Sequence, residues 1–143
     1  MGKVTGYSYY PQFFQDPRTG EKGTVYLPTI QIRISKDHKI ISYPFDALVD
    51  SGSDRNLFPL YFATYLGIQF KSIRPKKIFG IGDSFIEAYA AKINILLGTK
   101  EFETEADFSP QQKAPLLGRD GFFNLFKSIK FDEKGQFVYI EEF

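Results

Sequence analysis

Residues 24–49 hold the strongest constraint on what this chain can fold into: strand-like alternation, one polar turn, and an apolar return that ends on a carboxylate. Ile30, Ile32 and Ile34 share one face of a two-residue period. Lys36-Asp37-His38-Lys39 is a polar turn, and residues 40–49 read as the returning strand. The spacing predicts a hairpin of residues 24–35 with 40–49 that delivers Asp50 at its end. The fold class expected from this start is mostly β.

The rest of the chain continues the pattern. Residues 6–23 are rich in Tyr, Phe, Gly and Pro and read as an N-terminal extension, either an extra hairpin or an irregular arm. Pro59 suits the first position of a short helix, because its missing N–H would be unpaired there anyway. Leu60, Ala63 and Leu66 recur at helical spacing, and Gly67 suits the C-terminal cap. Residues 76–86 form a hairpin pattern centred on Phe79-Gly80-Ile81-Gly82, whose return strand runs on to Leu97. Residues 101–108 predict another strand, and Ala114-Pro115-Leu116-Leu117-Gly118 a brief apolar one. Asp120 is placed to cap a second helix through Phe122, Phe123, Leu125 and Phe126. Residues 129–131 and 137–140 predict a closing hairpin.

Composition sets limits. The 143 residues fit one domain, with sixteen Phe and nine Tyr supplying much of the apolar area. Without cysteine there is no disulfide framework, thiolate zinc site or thiol nucleophile. A net charge of +1 argues against a nucleic-acid-binding surface, and Arg74-Pro75-Lys76-Lys77 is too short to change that. No apolar run reaches the roughly 18 residues of a membrane span. The first residues lack the apolar stretch of a signal peptide, and Gly6 breaks the myristoylation pattern. A soluble cytoplasmic protein without membrane or nucleic-acid partners is the expectation. The single His38 leaves no metal site or Ser-His pair to build, so neither metal nor cofactor is expected. Asp46 and Asp107 read as solvated carboxylates near strand ends.

Three segments carry chemistry. Ala47-Leu48-Val49-Asp50-Ser51-Gly52 brings a carboxylate out of an apolar strand into a turn where glycine permits close backbone approach. Phe79-Gly80-Ile81-Gly82 puts alternate glycines at a hairpin tip, which weakens a strand unless backbone must lie against a ligand. Leu116-Leu117-Gly118-Arg119-Asp120 is an apolar strand turning a corner. None of the three is specific alone. In this order, over about residues 24–140, they resemble the retropepsin family of aspartic peptidases, single-domain proteins of the retroviral-protease type.

That resemblance implies a closed acid-protease barrel with a flap hairpin and one or two short helices. It implies a homodimeric aspartic endopeptidase in which each chain supplies one catalytic carboxylate, Asp50, to attack a peptide or protein substrate. Ser51 and Gly52 would complete the active-site loop, and Phe79, Gly80, Ile81 and Gly82 the substrate-binding flap. Asp54 and Arg119 match an acid and an arginine that form a structural ion pair in the family. Ser51 stands where Thr is usual and Ser53 where Ala is usual, and Asp83 follows the flap tip. Only one Asp-Ser/Thr-Gly occurs, so a second carboxylate would have to come from a second copy. The alternative is a non-catalytic retropepsin-like module that binds peptides or dimerises.

Overall fold

Strands deliver nearly all of the architecture. The computed structural model describes residues 2–41, 43–80 and 82–143. The first strands are β1 (Val4–Ser8), β2 (Tyr10–Gln15), β3 (Lys22–Leu27), β4 (Thr29–Lys36), β5 (Lys39–Ile40), β6 (Phe45–Val49) and β7 (Leu57–Pro59). After helix α1 (Leu60–Tyr65) come β8 (Lys76–Phe79), β9 (Phe85–Leu97), β10 (Lys100–Ser109), β11 (Leu116–Leu117), β12 (Ser128–Asp132) and β13 (Phe137–Glu141).

Six strands close a barrel in the order β4, β6, β11, β7, β10, β9 and back to β4. The closing contact sets Ile34 opposite Ile95 in antiparallel register. The interior is filled by the alternate residues that the period marks: Ile30, Ile32 and Ile34 from β4, with Ile93 and Ile95 from β9. Phe58 and Phe108, on paired parallel strands, pack ring to ring at 5.9 Å. A three-stranded sheet, β1-β13-β12, lies outside the barrel and buries Val138 and Ile140.

Two long strands expected from the sequence are interrupted. Residues 24–35 divide at Pro28, which has no N–H for a ladder, so β3 leaves to pair with β2 while β4 enters the barrel. Residues 40–49 divide ahead of Phe45, after Pro44, leaving β5 and β6 as separate strands. Residues 6–23 thus complete β1 and supply β2 and the start of β3, which pairs with β2.

Helix α1 starts one residue later than expected, with Pro59 as its N-cap rather than its first residue, and it ends at Gly67 as the sequence predicts. Gly67 adopts φ +76°, a conformation that favours glycine, and its N–H reaches Thr64 O at 3.0 Å. Phe62 anchors the helix against Phe45, with ring centroids 4.6 Å apart. The second expected helix shrinks to a single 3-10 turn, Phe123–Leu125. Asp120 caps nothing there, because its carboxylate is engaged by Arg55 and Asn124. Gly121, at φ +118°, breaks the helical path immediately after it.

Candidate active-site corner

Asp50 leaves the end of β6 where three segments converge. The brief β11 lies between β6 and β7, parallel to the first and antiparallel to the second. The loop joining β6 to β7 is therefore clamped by a strand that arrives much later in the chain. Asp50 N–H donates to Leu117 O at 2.9 Å, and Val49 N–H donates to Pro28 O at 2.8 Å. The Asp50 Oδ1 atom accepts from Gly52 N–H at 2.9 Å, which folds the carboxylate back over its own turn. Ser53 N–H closes that turn on Asp50 O at 3.1 Å.

The corner opposite is equally tied. Arg119 N–H donates to Ser53 O and Asp120 N–H to Asp54 O, at 2.9 and 2.8 Å. A Cβ on Gly118 would lie 2.2 Å from Arg55 O, so only glycine permits this approach of two backbones. Asn56, fully buried, accepts from Gly118 N–H at 3.0 Å and donates to Glu105 O at 3.0 Å. It is a brace that the motifs do not mark, although a lone amide ahead of Leu57-Phe58-Pro59 is a signal: a polar group so placed needs partners.

Charge is arranged differently from the expectation. Among the described residues no ion pair joins Asp54 to Arg119; both side chains are exposed, and the two residues are linked to the opposing segment through backbone. The centre of charge is Arg55 instead. It reaches Asp107 through Nε at 3.2 Å, Asp120 through Nη1 at 3.1 Å and Glu105 through Nη2 at 3.2 Å. Burial alone lowers the Arg55 pKa, but the pull of Asp107, Glu105 and Asp120 outweighs it, and the net shift is upward. Asp107 is not solvated as expected: it is 1% exposed, and Lys76 Nζ approaches it at 2.8 Å. Two cations on one buried carboxylate explain how it is tolerated there.

The corner faces a cleft of ≈ 520 Å³ lined by Asp50, Gly52 and Ser53 from the loop and by Lys76, Ile78 and Phe79 from β8. The β8–β9 hairpin therefore overlooks the carboxylate, and Lys76 fastens its base to the barrel through Asp107. Gly80 lies at the tip, where a Cβ would meet nothing within 4 Å, and Gly82 has φ +88°. Ile81, the expected third residue of the tip, lies outside the described residues. Ser51 is exposed beside Asp50. Among the described residues no cluster of three metal-ligating side chains occurs, and no helix is long and apolar enough to cross a membrane.

No family model and no curated protein matches the sequence. Solved structures do match. A retropepsin-like aspartic protease from Rickettsia conorii is similar over 99% of this chain and 97% of its own, with a TM-score of 0.61 and 15% identity. EIAV protease, solved with the inhibitor HBY-793, aligns over 65% of this chain and 82% of its own, with a TM-score of 0.45 and 21% identity. The barrel, the strand-clamped Asp50 corner and the hairpin above it together make this a chain of retropepsin-like fold.

Proposed function

We propose that the chain is an aspartic endopeptidase that works as a homodimer, with Asp50 of each copy forming the catalytic pair. The observation that carries this reading is the placement of Asp50: partly exposed, at the floor of a cleft, on a loop fixed by Leu117 O and Pro28 O. Hydrolysis by carboxylates needs two of them. One takes a proton from water while the other protonates the scissile carbonyl oxygen. Two such groups in contact share a proton, and their titration belongs to the pair. This chain supplies one, so the partner is a second copy related by a two-fold axis.

Ser51, exposed next to Asp50, would brace one loop against the other across that axis. The β8–β9 hairpin would act as the flap. Backbone near Gly80 and Gly82 would bond an extended peptide, in the manner of strand addition to a sheet edge. Apolar side chains such as Ile78 and Phe79 would select among substrate residues. Each copy forms half of the cleft, which suits a substrate that spans both.

The test is hydrolysis of a mixed peptide library across the acid range, with and without a transition-state-mimic inhibitor, using the natural chain and Asp50→Asn. Cleavage that is blocked by the inhibitor and abolished in the variant supports the assignment. Equal turnover by Asp50→Asn would sink it. A well-folded dimer that binds peptides but never cuts them would transfer the chain to the non-catalytic alternative.

A further inference from the structure

Between β1, which pairs with β13, and β4, which enters the barrel, the chain detours through β2 and β3. Among the described residues these two strands pair only with each other. A lone two-stranded hairpin is marginal in water. This one nevertheless exposes apolar side chains on both faces. The register puts Tyr10, Phe14 and Val25 on one face and Phe13 and Tyr26 on the other. Phe13 is 76% exposed, Phe14 53% and Tyr26 46%.

The base of the arm, by contrast, is fixed. Tyr9 is buried, its N–H donates to Gln136 O at 2.8 Å, and its hydroxyl donates to Glu133 at 2.9 Å. At the other root, Pro28 O accepts from Val49 N–H, one residue before Asp50. A rigid root beside Asp50 with an uncovered apolar shaft is suited to holding something that sits against the Asp50 loop.

We infer that the β2–β3 arm clasps a second copy of this chain across the axis on which the two Asp50 loops meet. The inference rests on the dimeric reading above and adds the surface that holds the dimer together. Reach is sufficient: six residues extend about 20 Å at the strand rise. Area is sufficient too. At roughly 150–250 Å² per aromatic side chain, the exposed part of the arm offers on the order of 400 Å². In a symmetric pair each copy gives one arm and receives another, which approaches the roughly 800 Å² per partner of a standard interface.

Charge placement agrees. Lys22 is the only charged residue in either strand, whereas Asp16, Arg18 and Glu21 gather at the turn, leaving a dry shaft and a solvated tip. Interface cores are depleted in charge and enriched in Tyr and Phe in the same way. An exposed edge meant to stay alone more often carries lysines.

Two measurements test this. The chain has no cysteine, so Thr24→Cys, exposed on the arm, accepts a benzophenone maleimide without removing an aromatic residue. Light and heavy-isotope copies are mixed, irradiated and mapped by mass spectrometry. Links between light and heavy chains are expected, and links confined to single chains overturn the inference. Sedimentation equilibrium then compares the natural chain with Phe13→Ser/Tyr26→Ser. The expected result is a dimer dissociation constant raised at least about tenfold, with unchanged circular dichroism and peptidase activity recovered at high protein concentration. An unchanged constant overturns the arm and leaves the Asp50 reading standing. A natural chain that is monomeric at every concentration overturns both. Flotation with anionic vesicles, lost in the double variant and without light–heavy links, overturns the second copy in favour of a lipid surface.

Discussion

Gly118, buried in the Asp50 corner, and Gly80, at the tip of the β8–β9 hairpin, do opposite work. At Gly118 a side chain would run into the backbone of Arg55 at 2.2 Å. At Gly80 it would meet nothing within 4 Å. The first glycine is explained by the fold, since the Asp50 corner closes only if two backbones touch. The second is not required by any contact among the described residues. Gly80 lies beyond the end of β8, and under the proposed function its use is to leave backbone open for a ligand laid against the hairpin. The comparison separates a corner closed by backbone contact from a tip with open space around it.

The two halves of that comparison respond differently to substitution. Gly118→Ala should destabilise the chain by about 4 kcal/mol, since one of two backbones must move; urea unfolding measures it, and a loss under about 1 kcal/mol would mean that the corner yields. Arg55→Met should cost about 2 kcal/mol in the same assay. It strips a cation from buried Asp107, while Lys76 remains and Arg55 itself is partly exposed. Gly80→Ala should leave stability within about 0.5 kcal/mol but reduce kcat/KM on peptides about tenfold, as expected for one disturbed backbone hydrogen bond to substrate. A stability loss with unchanged kcat/KM would reverse the roles assigned to the two glycines.

The smallest effect concerns the root of the arm. Burial first, then the hydrogen bond and charge of Glu133 and the charge of Asp132, raise the Tyr9 pKa from 10.0 to about 12. A raised folded-state pKa stabilises the protein fully below the unfolded value and loses that contribution as pH rises through the folded one. Stability should therefore fall between about pH 10 and about pH 12 in part through Tyr9, and Tyr9→Phe should flatten that limb. At neutral pH the same variant should lose no more than about 1 kcal/mol.

What was legible in the sequence is what local period can encode. The run into Asp50, the β8–β9 hairpin, α1 with its Gly67 cap and the β12–β13 hairpin are all short-range patterns, and each is present. Insertion of β11 between β6 and β7 is not local: Leu117 pairs with Val49, which lies far back in the chain. Arg55 and Asp107 illustrate the same limit, because 52 positions separate them and an aspartate near a strand end reads as solvated until its cations arrive. The aromatic run after Asp120 has helical spacing, but Gly121 holds a backbone angle that spacing cannot report. The Asp54–Arg119 pairing came from family resemblance, and here the neighbouring Arg55 gathers the carboxylates instead.

The central claim is that one active site needs an Asp50 from each of two chains. Mixing tests it most directly: the natural chain, held at fixed concentration, is equilibrated with increasing Asp50→Asn chain while peptide hydrolysis is followed. Exchange into mixed dimers with a single carboxylate should silence the natural chain, with activity approaching zero at large excess of the variant. Activity that persists undiminished, while isotope-resolved mass spectrometry confirms that mixed dimers have formed, would contradict the account.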